Sequence, residues 1–195
     1  MNKLKINLLL LLLYPLFAGA KEVNLSSPNK VLHVAVTAEK NVSMQVLHKE
    51  NVLFTVRDIY LDTDQGMLPK LNAKVHSIKK NAVDQIIVPE IKEKNSRIVD
   101  RYNEISLLFA DKTKLEIRLY DNGVAYRIST NCKGELTIFD EAADFAFDPS
   151  STLFFQKDAN MNSDYEAPYV EQKIQDIEQG VTGNYPAFGS LLYSG

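Results

Sequence analysis

The segment spanning residues 100–130, DRYNEISLLFADKTKLEIRLYDNGVAYRIST, leaves little freedom in how it can fold. Apolar, β-prone runs at 105–109, 115–120 and 124–128 follow one another with gaps only long enough for tight turns. Asp111-Lys112-Thr113 fills the first gap and Asp121-Asn122-Gly123 the second, and these residue types tolerate turn conformations. The spacing predicts an antiparallel meander. In its middle run Leu115, Ile117 and Leu119 alternate with Glu116, Arg118 and Tyr120, which gives one face to a core and the other to a wetter surface. A sheet with one apolar face needs a second layer over it, so the expected architecture is an all-β, mainly antiparallel sandwich.

The rest of the chain extends the same pattern. Runs at 31–36, 42–47 and 52–56 read as strands, with His48-Lys49-Glu50-Asn51 as a hairpin loop, and residues 62–70 read as a longer loop. Residues 73–78 and 83–88 are predicted as a strand pair turning around Lys79-Lys80-Asn81, with Pro89 as the stop. The charged stretch 91–98 reads as a solvated face, and 136–139 and 153–155 as further short strands. Val170, Ile174 and Ile177 then recur at helical spacing, with Pro168 before them and Gly180 after, so a single helix is predicted over 167–179. Leu191-Leu192-Tyr193 reads as the opening of another strand, and the chain is therefore expected to be one incomplete domain.

Lys3 and Lys5 precede an apolar run at 8–13 that continues to Phe17 and ends in Ala18-Gly19-Ala20, the layout of a secretory signal peptide over residues 1–20. The run is shorter than the ~20 residues that span a bilayer and is broken by Pro15, which disfavours a membrane anchor. The expected mature chain begins at Lys21, has no membrane span after cleavage, and is exported, with the periplasm as the expected destination. A net charge of -3 gives no electrostatic basis for nucleic acid as a partner. Cys132 is the only cysteine, which excludes an intramolecular disulfide, and no His lies near it in sequence. His33, His48 and His76 fall on separate predicted elements without metal-ligand spacing.

Ser26-Ser27-Pro28-Asn29 before the first strand, Arg101-Tyr102-Asn103-Glu104 entering the meander, Asp121-Asn122-Gly123-Val124-Ala125-Tyr126-Arg127 at its last turn, and Tyr165-Glu166-Ala167-Pro168-Tyr169 before the predicted helix occur in that order. Together they resemble the N-terminal domain of glycoside hydrolase family 97, secreted α-glucosidases and α-galactosidases of Bacteroidetes polysaccharide utilisation. The resemblance implies a galactose-mutarotase-like β-sandwich over residues 21–195, truncated ahead of a (β/α)₈ barrel that carries the catalytic carboxylates. It therefore implies an exported enzyme that cleaves α-glycosidic bonds in oligosaccharides, and a present chain with no catalytic residue that is inactive without the barrel.

The resemblance also implies that Glu166, in an E-x-x-Y context with Tyr169, reaches towards the barrel and helps to bind a calcium ion. Calcium takes about 6–8 oxygen ligands, so one glutamate cannot make the site alone. The plainer reading is a carboxylate placed near a helix N-terminus, where negative charge is favoured. Asp158, Asn160, Asn162 and Asp164 alternate like an EF-hand loop, but Ser163 stands where the sharp turn needs Gly and Tyr169 where the closing Glu belongs. Asn103 and Arg127 read better as polar ties between strands than as sugar ligands. The alternative to the enzyme reading is a stand-alone carbohydrate-binding or structural sandwich module without catalysis, although the absence of Trp weakens the sugar-binding version. Export predicts that N-terminal sequencing of the secreted product starts at Lys21, and a mature chain still beginning at Met1 would overturn the signal peptide.

Overall fold

The computed structural model describes residues 22–92, 94–158, 168–177, 185–186 and 191–193. Its strands in chain order are β1 (Val23–Ser26), β2 (Leu32–Ala38), β3 (Val42–His48), β4 (Asn51–Thr63), β5 (Val75–Ile87), β6 (Ile98–Phe109), β7 (Lys114–Tyr120), β8 (Val124–Ser129), β9 (Ile138–Phe147), β10 (Thr152–Asp158), β11 (Tyr169–Lys173), β12 (Tyr185–Pro186) and β13 (Leu191–Tyr193). One five-stranded sheet has the order β1-β2-β3-β4-β9 and one four-stranded sheet the order β5-β6-β7-β8. All of these pairings are antiparallel. A smaller sheet is built on β10, which pairs with β11, β12 and β13.

The two larger sheets bury their apolar faces against each other. Leu115, Ile117 and Leu119 of β7 and Ile105, Leu107 and Phe109 of β6 share one buried cluster with Val34 and Val36 of β2, Met44 and Val46 of β3, and Val56 of β4. This is the sandwich that the alternation in the meander required. The turns match their sequence as well. At the first, the Asp111 carboxylate accepts the Thr113 N–H at 2.9 Å while Lys112 takes a positive φ of 70°. At the second, the Tyr120 N–H donates to the Gly123 carbonyl at 2.8 Å.

The alternation breaks once inside a strand, and the backbone accommodates it. Val56 and Ile59 both face the core although an odd spacing should send them to opposite faces. Asp58 lies between them with φ of 53°, and the register of β4 against β9 shifts between Arg57 and Tyr60. An extra residue in a bulge restores the inward phase, and Asp tolerates the left-handed region better than most side chains. The Asn41 side-chain amide donates to the Asp58 carboxylate at this bulge. The sequence pattern ends this strand at Val56 because it cannot follow a phase change that tertiary pairing sustains.

Strand bounds shift elsewhere, as where the predicted 136–139 becomes β9, Ile138–Phe147, but two predicted elements differ in kind. Residues 73–88 do not turn at Lys79-Lys80-Asn81. β5 runs through them, pairing Lys79 with Ser106, Lys80 with Ile105 and Asn81 with Glu104. β5 is an edge strand, so its polar middle stays in contact with water while the long β6 supplies hydrogen bonds along its length. The helix predicted over 167–179 is replaced by β11 and a single 3-10 turn, Ile174–Asp176, with residues 167, 178 and 179 outside the described residues. Val170 fits a helical stripe, but it equally heads an alternation with Gln172 against Tyr169, Glu171 and Lys173. The pairing of Phe155 with Val170 and Leu153 with Gln172 decides for the strand. Among the described residues there is no α-helix.

Ile117 is fully buried at the contact between the sheets, whereas Val99 is 66% exposed. Ile117→Ala is expected to lower unfolding stability by about 2–5 kcal/mol. Val99→Ala should stay within about 0.5 kcal/mol of the parent. Denaturant titration measures both, and equal midpoints for the two variants would refute a core placed between these sheets.

Candidate functional site

Three of the four sequence motifs meet at one end of the sandwich. The turn between β1 and β2 belongs to the five-stranded sheet, while Arg101, Asn103 and the turn at Asp121 belong to the four-stranded one. Ser27, buried to 1% exposure, donates from Oγ to Asn29 Oδ1 at 2.7 Å and accepts the Leu32 N–H at 3.0 Å. Asn29 Oδ1 also accepts the Val31 N–H at 3.0 Å, which fixes the turn and points the Asn29 N–H across the gap. That N–H donates to Asp121 Oδ1 at 2.8 Å, and Arg101 pairs with Asp121 Oδ2. Asn103 Nδ2 adds a second link between the sheets by donating to the Ser26 carbonyl at 2.8 Å. The Asn29 N–H chiefly holds the Asp121 carboxyl below its ordinary range; desolvation opposes it, and Arg101 adds to the lowering. Asp121 in turn raises Arg101, keeping the pair charged.

The outer face of the four-stranded sheet carries a paired ladder. Tyr102 and Tyr120 sit side by side with centroids 5.1 Å apart, and the Arg118 guanidinium lies 4.5 Å from the Tyr102 ring centre. Arg118 Nε also donates to Glu104 Oε2 at 2.8 Å. Glu116 accepts from Lys114 at 2.9 Å and from Arg127 at 2.8 Å. Burial pushes the Glu116 carboxyl up, but these two cations outweigh it and leave the group below its ordinary range. Glu116, Arg118, Tyr120, Ala125, Tyr126 and Arg127 line a shallow hollow of about 170 Å³. From β8, the Tyr126 hydroxyl donates to Glu141 Oε1 on β9 at 3.0 Å and so ties the sheets together at their other edge. Burial and the Glu141 carboxylate push the Tyr126 phenol up to about 12.

These arrangements tie strands and sheets to one another. Glu104, Glu116 and Asp121 each have a cationic partner, so no two of them form the unpartnered carboxylate pair that glycoside cleavage uses. Among the described residues no group of three or more His, Cys, Asp or Glu could hold a metal ion. His33 is engaged with the Ser26 hydroxyl at 3.0 Å.

The family described as glycosyl-hydrolase 97 N-terminal matches residues 25–191, from β1 through to β13. The chain belongs to this family. A retaining alpha-galactosidase of Bacteroides thetaiotaomicron is 25% identical over 188 residues, covering 92% of this chain and 28% of that protein. A glycoside hydrolase family 97 enzyme from Pseudoalteromonas sp. strain K8, solved with acarbose, superposes with a TM-score of 0.68 at 16% identity, over 79% of this chain and 25% of that one. A beta-arabinopyranosidase crystal structure gives a TM-score of 0.63 at 22% identity, over 76% of this chain and 26% of that one. This chain thus spans about a quarter of the length of these proteins.

Within this family 97 domain the sequence-predicted site residues fall unevenly. Glu166 and the alternating Asn160, Asn162 and Asp164 lie outside the described residues. Tyr169 is exposed on β11 and pairs with Gln156, so the E-x-x-Y motif leads into a strand. Among the described residues after it, 168–177, there is no α-helix beside whose N-terminus Glu166 could sit. Asn103 ties the sheets together as expected, while Arg127 ties β8 to β7 from an exposed position. The contacts of Asp121 with Arg101 and of Tyr126 with Glu141 were not legible in sequence, since each joins residues about 15–20 positions apart through registers that only the sheets define.

The Asp121 contacts carry a pH signature. A carboxyl held below its ordinary value contributes its stability in full above the unfolded value of about 4, and loses it as pH falls through the lower folded value. Asp121→Asn should therefore flatten the acid limb of a melting-temperature profile below about pH 4. An unchanged limb would assign that slope to other carboxylates. Tyr126 has the opposite sign: its raised value means that its contribution is intact below about pH 10 and falls away as pH rises towards 12. Tyr126→Phe should remove one late step from the phenolate absorbance titration, and retention of that step would place the high value on another tyrosine.

Proposed function

We propose that residues 1–20 are a signal peptide and that residues 21–195 are the N-terminal β-sandwich of an exported enzyme that cleaves α-glycosidic bonds in oligosaccharides. The observation that carries this reading is the family match across residues 25–191, nearly the whole mature chain. The activity of the Bacteroides relative, a retaining alpha-galactosidase, and the acarbose bound to the Pseudoalteromonas enzyme support an α-glycoside as substrate. The sandwich works with a catalytic barrel from the same polypeptide, in keeping with the large share of those proteins that lies beyond this domain. Among the described residues no helix is long and apolar enough to cross a membrane.

Glu166 is the residue through which the domain takes part in the active site, as one carboxylate ligand to a calcium ion. A carboxylate oxygen suits this hard cation, and the described residues contain no competing metal cluster. Bound there, calcium would supply positive charge beside the reacting glycoside. The other oxygens come from the barrel, so the isolated sandwich binds the ion weakly. The domain's own contribution is positional: the Asp121 contacts fix one sheet against the other, and the sheet built on β10 leads into the segment that carries Glu166.

The test is Glu166→Gln in the sandwich joined to its barrel. Replacing the carboxylate by an amide keeps one acceptor oxygen and removes the charge. Calcium affinity measured by calorimetry should fall by about tenfold or more, while the melting temperature without calcium stays unchanged. Hydrolysis of aryl α-galactosides and α-glucosides should fall in parallel. Equal calcium affinity in parent and variant would remove the metal role from Glu166. Tight calcium binding by the 195-residue chain alone would move it to the loop after Asp158, and binding of free oligosaccharide without cleavage by the joined protein would favour a carbohydrate-binding module.

A further inference from the structure

β5 is the outermost strand of its sheet, 13 residues long, and most of it is exposed. Among the described residues no strand pairs with its outer edge, and its C-terminal end presents Ile86, Ile87 and Val88 at 45%, 43% and 61% exposure. A long exposed edge with an apolar end is a template for pairing with another strand. Two copies related by a two-fold axis can pair such an edge only antiparallel, with one residue facing its own counterpart at the axis.

The sequence of β5 selects among the possible registers. With Ala82 at the axis, Lys80 of each copy faces Asp84 of the other and Ile78 faces Ile86, so opposite charges and apolar side chains meet twice each. Moving the axis to Asn81 sets Asp84 against Ile78, and moving it to Val83 sets Lys80 against Ile86. An axis at Lys79, Lys80 or Asp84 places like charges directly opposite, which is destabilising. The Ala82 register also puts the smallest side chain of the strand where the two copies approach most closely. On the other face it pairs Lys79 with Gln85 and Asn81 with Val83, with no clash of charge. Lys80 already donates to the Asn24 carbonyl at 2.8 Å, but an ammonium carries three donors and keeps others for Asp84.

We propose that this chain self-associates through β5, in the register centred on Ala82, to join two four-stranded sheets into one continuous sheet. The pairing is argued from β5 alone and stands whether or not Glu166 binds metal. In a Cys132→Ser background, Ala82→Cys should form a disulfide-linked dimer of the 195-residue chain under mild oxidation. Ile86→Cys should not, because in this register the two copies of residue 86 lie eight positions apart, about 27 Å along the strand. By light scattering the parent should be dimeric, Asp84→Lys should weaken the dimer at least tenfold, and Lys80→Asp combined with Asp84→Lys should restore it. A parent that stays monomeric, equal cross-linking at residues 82 and 86, or a double variant no better than Asp84→Lys would each overturn the proposal. Circular dichroism of every variant separates loss of pairing from loss of fold.

Discussion

Everything else in this molecule depends on the burial of one face of β6 and β7 against one face of β2, β3 and β4. Ile105, Leu107, Ile117, Leu119, Val34, Val36 and Val56 are all at 0% exposure, so these side chains are removed from solvent. Removing apolar area from water is the main favourable term in a chain that cannot form an internal disulfide. That burial also explains why polar and charged side chains are sorted so strictly onto the opposite face, where Glu104, Glu116, Arg118 and Arg127 pair with one another.

Hydrophobic burial sets no precise orientation between two sheets, because it is non-directional. Directional contacts at both edges supply that precision. At one edge the Asn29 N–H and Arg101 converge on Asp121 while Asn103 reaches the Ser26 carbonyl; at the other, Tyr126 reaches Glu141. Three motifs that are far apart in sequence are therefore one structural device, and their role in a family 97 domain is to hold the sheets in a fixed relation. Directional contacts at two places let this chain, which spans about a quarter of the length of its relatives, keep its two larger sheets in one relation.

The same sorting of faces leaves β5 unusual. Its inward face contributes Ile78 to the core, yet from Asp84 onward it runs beyond the stretch of β6 that β7 covers, and its apolar end stays in water. Lys79 and Lys80 occupy the middle of the edge, where charged residues commonly deter promiscuous pairing. With Asp84 at the matching distance, the same charges can select one partner register in place of many.

Where alternation and turn residues agreed, the sequence alone was enough. The meander from β6 to β8 and the hairpin of β3 and β4 arise from local pattern and short gaps, because period-2 burial and turn chemistry are properties of neighbouring residues. The order of the four motifs is likewise readable along the chain. Tertiary structure decided what depends on a distant partner. It made β5 one strand through Lys79-Lys80-Asn81 because β6 lies alongside, and it turned 169–173 from an expected helix into β11 because β10 offers Phe155 to Val170. It also set the phase change at Asp58 and brought Asp121 to Asn29 from 92 positions away. A short apolar segment is compatible with more than one backbone form, and only the long-range hydrogen bonds and the buried faces they align select between them.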